Sequence, residues 1–149
     1  MNLGEMPLKN VAALLHYHTA VDVPTIIASI NHMIDYVNKG ETVFYHFYRQ
    51  EERRADSGSR PTGLFFFPRK TGGLPSRLFV LAAAFPCVGS FHEGFPSAMK
   101  LSKLGYNAFV LQYRVGGGGT PSVMDLAAAL WFIFTNANAL GVSTTGNSL

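Results

Sequence analysis

Two strands followed by a strand–helix–strand–helix run predict an α/β fold, and three observations carry the prediction. Arg77–Ala84 is nearly all apolar and Asn107–Tyr113 repeats the pattern, as suits strands buried on both faces of a sheet. Helix signals fill the stretch between them, and a helical crossover sets the strands it joins parallel. Two aromatic runs upstream, Thr42–Tyr48 and Gly63–Phe67, supply an initial antiparallel pair. The expected sheet has about four strands, mainly parallel after that first pair, with helices on its flanks.

Each element has its local signature. From Val23 to Asn38, Ile26, Ile27, Ile30, Met33, Ile34 and Val37 recur at helical spacing, with Asp22 as N-cap and Gly40 just past the end. A polar loop, Arg49–Pro61, joins the first two strands, and turn residues at Lys70–Pro75 lead into the third. Ser90 with Glu93 three residues on reads as a capping box, opening a helix from about Phe91 to Leu104 that Gly105 closes. After Gly116–Gly119, Thr120 is the expected N-cap, Pro121 the first helical residue, and Asp125 a first-turn partner for the helix dipole. Leu126, Ala129, Leu130, Ile133 and Ala137 mark one face of this helix and Trp131, Phe132 and Phe134 broaden it, up to a stop at Gly141. A helix so apolar needs cover on more than one side.

The 149 residues fit one domain, read as a helical extension over 1–40 and a sheet core over 41–149. Only 14% of residues are charged against 48% hydrophobic, so the chain carries more apolar surface than it easily hides alone. The net charge of +3 comes from scattered residues, with Glu51-Glu52 ahead of Arg53-Arg54, which argues against a nucleic-acid partner. No run reaches the ~18–20 apolar residues of a membrane span, and Val11–Leu15 is too short for the apolar part of a secretory signal. A cytoplasmic location and no membrane partner are the expectations. The single Cys87 forbids an internal disulfide and a cysteine-rich zinc site.

Most motifs have a structural explanation. His16-x-His18 has metal-binding spacing without a third ligand, the contiguous glycines of 116–119 lack the Lys-Ser/Thr of a phosphate loop, and no cofactor is implied. His92 and Glu93 are candidates for facing a substrate at a helix N-terminus, with capping as the structural alternative.

Three stretches resemble α/β-hydrolases of the esterase and acetylxylan-esterase-like kind, in the expected order: Thr62–Arg69, Val88–Phe95 and Gly105–Arg114. Asp125–Leu130 and Asn138–Ser143 are similar to the helix and linker before that family's nucleophile elbow, and the resemblance covers roughly residues 40–149. It implies a carboxylic-ester hydrolase in complete form, acting on a small ester or an acetylated sugar through serine, histidine and an acidic residue. The chain contains no G-x-S-x-G, so no catalytic residue is assigned, and the nucleophile is expected beyond Leu149. The family's glycine-rich oxyanion loop aligns with Ala82-Ala83-Ala84, making Ala83 and Ala84 the oxyanion candidates, although alanine lacks glycine's freedom there. In the family's strand order the third strand lies between the fourth and the nucleophile strand, so Leu78–Ala84 is expected to form an open apolar edge that invites self-association. The alternative is a non-catalytic chain, vestigial or a ligand- or protein-binding module.

Overall fold

The computed structural model describes residues 7, 22–59, 61–69, 78–82, 90–115 and 119–143, with backbone alone for 78–82 and 91. In chain order the elements are α1 (Val23–Asn38), β1 (Phe44–Tyr45), α2 (Gln50–Ala55), β2 (Gly63–Phe67), β3 (Leu78–Ala82), α3 (Phe95–Lys103), β4 (Asn107–Gln112), α4 (Thr120–Thr135) and α5 (Ala137–Leu140). Helices and sheet combine in a mixed α/β architecture.

The sheet runs β1-β2-β4-β3 among the described residues. β2 is antiparallel to β1 and to β4, with Phe66 opposite Phe109, and only β3 and β4 pair parallel, with Val80 opposite Phe109. This is less parallel than the sequence predicts. The reason is topological: the α3 crossover fixes only the β3–β4 relation, while β4 inserts beside a β2 that runs the other way.

Period-two alternation divides the core into two layers. Leu64 and Phe66 of β2, with Phe109 and Leu111 of β4, meet Ala129 and Ile133 of α4 and Ala137 and Leu140 of α5. Phe67 and the alternate β4 residues Ala108 and Val110 meet Met33 of α1 with Phe95, Ala98 and Met99 of α3. The Phe66 and Phe109 rings stack with centroids 4.5 Å apart. Each fully buried side chain of this size contributes about 1.5–3 kcal/mol, so β4, buried on both faces, is the centre of the fold. Asn107 ties its start down, accepting from the Arg69 N–H at 3.0 Å and donating to the Gly141 carbonyl at 3.1 Å.

Several boundaries differ from the sequence reading. α1 has the expected limits and the Asp22 cap, but Ile34 and Val37 at its far end stay exposed. β1 is two residues long, and the polar loop after it contains α2, whose Glu52 carboxylate accepts from the Arg49 N–H at 2.7 Å. Acidic residues at the start of α2 and basic ones at its end suit its dipole. Gly119, not Thr120, caps α4, because φ of +89° there favours glycine. The apolar run then breaks at Asn136, whose Nδ2 donates to the Phe132 carbonyl at 2.8 Å, separating α5 from α4.

A five-residue π-turn, Ser90–Gly94, leads directly into α3. A Cβ on Gly94 would lie 2.5 Å from Cγ1 of Val110, so only glycine lets this turn close on β4. Gly94→Ala is expected to destabilise the fold by about 1–3 kcal/mol. In urea unfolding, Gly94→Ala combined with Val110→Ala should cost less than the two single changes added together. A wild-type midpoint for Gly94→Ala would show that the turn does not seat on β4.

Candidate functional site

β1, β3 and β4 run in one direction, so their carboxyl ends share one end of the sheet with the start of β2. In open α/β sheets ligands bind beyond the carboxyl ends of strands. The segments leaving these strands carry the chain's polar chemistry.

Asp125 is the centre of that end. It is fully buried in α4, beyond the first turn where the sequence reading places it, and it neutralises a specific cation rather than a helix dipole. Its Oδ2 accepts from the Arg114 N–H at 2.7 Å, and its Oδ1 accepts from the guanidinium at 2.7 Å and from the Tyr48 hydroxyl at 2.7 Å. Arg114 also reaches Asp56 at 2.6 Å, and its guanidinium lies 5.6 Å from the centre of the Tyr48 ring. Four segments distant in sequence are thus joined through the Arg114–Asp125 pair. The bond to Asp125, ahead of the cost of burial, raises the pKa of Arg114. Burial first, then the bond to Asp125, pushes the Tyr48 phenol up to about 12. With its hydrogen-bonding capacity spent internally, the cluster is a structural clamp rather than a set of reactive groups.

Of the residues singled out in the sequence, the structure describes Ser90, His92, Glu93 and Asp125. Ala83 and Ala84 lie outside the described residues, as do His16, His18, Cys87 and Gly116–Gly118. His92 and Glu93 are brought together, Nε2 to Oε1 at 3.7 Å, with side chains 11% and 37% exposed. Ser90 is buried, and among the described residues its hydroxyl makes no hydrogen bond. The expected capping box is therefore not formed: Ser90 already lies inside the π-turn, whereas a box needs an N-cap outside the helix. Turns of this kind are frequent at functional sites.

A third feature escaped the sequence reading. Between the segment after β1 and the outer side of α4 lies an open groove of about 680 Å³, walled by Arg49 and Glu52 on one side and Trp131 and Phe132 on the other. His46 also lines it, its Nδ1–H donating to the Thr62 carbonyl at 3.2 Å. The signal was present in the excess apolar residues of α4, since Trp131 is 64% exposed. No helix among the described residues is long and apolar enough to cross a membrane. No family model, curated protein or solved structure matches the chain.

Asp125→Ala should cost about 3–5 kcal/mol, because it removes the buried counter-charge of Arg114 and leaves only the half-exposed Asp56. A denaturant midpoint showing a loss under ~1 kcal/mol would mean that Asp56 and water satisfy Arg114 without it. The Tyr48 phenol holds its proton in the folded state at pH values where the unfolded chain, titrating near 10.0, has lost it. Stability from this group is therefore intact below pH 10.0 and falls as pH rises toward about 12. Melts across that window should fall less steeply for Tyr48→Phe, while Tyr45, also raised by burial and then by Glu41, keeps part of the slope.

Proposed function

We propose that this chain supplies the first four strands of a serine α/β-hydrolase that in complete form cleaves carboxylic esters, small or sugar-borne. The observation that carries the reading is the strand order β1-β2-β4-β3, with β3 outermost among the described residues and parallel to β4 through α3. In that family the strand bearing the nucleophile adds beyond the third strand, so the open side of β3 is where it would pair. The reading is also supported by the turn Ser90–Gly94 that opens α3 after β3, and by the resemblance of Asn138–Ser143 to the linker before the family's nucleophile strand.

The chemistry of such an enzyme divides between segments. A serine at a strained turn attacks the ester carbonyl, histidine takes and returns its proton, and backbone N–H groups hold the oxyanion. In this chain only the oxyanion loop, with Ala83 and Ala84, belongs to that set, and His92 with Glu93 would border the substrate. The 149 residues hold no Gly-x-Ser-x-Gly, and the edge of β3, outermost among the described residues, favours self-association or pairing with another strand.

The 149-residue chain should not hydrolyse p-nitrophenyl acetate above background and should run as oligomers in light scattering. Intact mass of the native protein, with the codons after Leu149, tests the reading: a longer chain carrying Gly-x-Ser-x-Gly, then an acidic residue and histidine, would support it. A stop codon with a matching short mass would replace this reading with a non-catalytic binding module. Turnover lost on Ser90→Ala would overturn the assignment of roles, and a stable monomer would count against the open edge.

A further inference from the structure

We infer that the groove between the β1 exit and α4 binds a neutral, polyhydroxylated ring, a saccharide, stacked on Trp131. The inference rests on the groove itself and not on the hydrolase reading. At about 680 Å³ the groove is within the range of small-ligand sites, and it is open to solvent, which suits a saccharide rather than an enclosed metabolite.

The wall chemistry selects the ligand. Trp131 is exposed over 64% of its surface; Val123, Met124 and Phe134 of the same helix are exposed too, but of these four it is Trp131 that lines the groove, where its indole is available to an apolar ring face. Opposite it are an exposed guanidinium, Arg49, and an exposed carboxylate, Glu52. An anion would suit Arg49 and be repelled by Glu52, and a cation the reverse. Sugar hydroxyls both donate and accept, so they use both groups together with His46 and the indole N–H. The C–H face of a pyranose covers the indole while its hydroxyls spread to the polar wall.

Local structure holds the polar wall in place. One Glu52 oxygen is fixed by the Arg49 N–H at 2.7 Å, which orients the other as an acceptor. His46 is held through Thr62, itself buried and donating to the Ser59 carbonyl at 2.6 Å. Tyr48, beneath the groove, is locked onto Asp125 at 2.7 Å. A site assembled on the clamp is pre-organised, which lowers the ordering cost of binding.

Trp131 is the chain's single tryptophan, so its emission reports this site alone. The whole chain would be titrated with xylohexaose, cellohexaose and chitohexaose, and a saturable spectral shift with at least one of them is expected. Glu52→Gln, which keeps an acceptor for the Arg49 N–H, and Arg49→Ala should each weaken that binding about five- to tenfold. Trp131→Ala should abolish it by calorimetry with an unchanged far-ultraviolet spectrum. No shift at millimolar concentrations of any of the three overturns the inference, as does equal binding by Glu52→Gln and Arg49→Ala. A shift that follows protein concentration and ignores saccharide overturns it in favour of a second copy on α4. Saccharide binding by a chain whose reading frame ends at Leu149 would keep this inference and remove the hydrolase reading, and a continuing frame with no binding would do the opposite.

Discussion

The buried contact between Arg114 and Asp125 is the constraint around which the carboxyl end of the sheet is organised. A charge with no exposure is stable only if its partners are fixed, and each partner here belongs to a different segment. Arg114 follows β4, Asp125 lies in α4 and Tyr48 follows β1, while Asp56, after α2, pairs with Arg114. One carboxylate therefore sets the return path of α4 and the position of the β1 exit. The groove walls inherit their geometry from it.

The sheet supplies the other half of the framework. β4 carries bulky residues to both sides, so α4 and α5 are held on one face and α1 and α3 on the other through a single strand. Gly94 and Gly63 mark the places where packing is closest: a Cβ on Gly63 would fall 2.1 Å from the Phe44 ring. These contacts tolerate no added atom without movement, whereas the exposed side of α4 is open. Close packing and an exposed indole on neighbouring elements separate the parts of the surface that hold the fold from the part free to bind.

Much of the fold was legible because its signals are local. Continuous aromatic and apolar runs marked β2 and β4, and spaced isoleucines with Asp22 marked α1. What was not legible depended on partners far along the chain. Nothing in Arg49–Pro61 shows that Asp56 faces an arginine 58 residues away, and Asp125 read as a dipole partner because Tyr48 is 77 residues from it. A clue existed in the lone carboxylate of an otherwise uncharged helix, which demands a cation once that face is buried. The π-turn left no clue of its own, since a wide turn follows from the fit of Gly94 against Val110 and not from local preference.

The placement of β4 between two strands that precede it also bears on synthesis. β2 and β3 leave the ribosome before the strand that pairs with both, and 40 residues separate Phe67 from Asn107. At about 5–20 residues per second, that interval lasts on the order of seconds. During it, Gly63–Phe67 is an aromatic strand with its central neighbour still unmade. Nascent chains on one messenger would share that exposure, so yield in the cell depends on translation speed and on chaperones that shield such segments, apart from the stability of the finished fold.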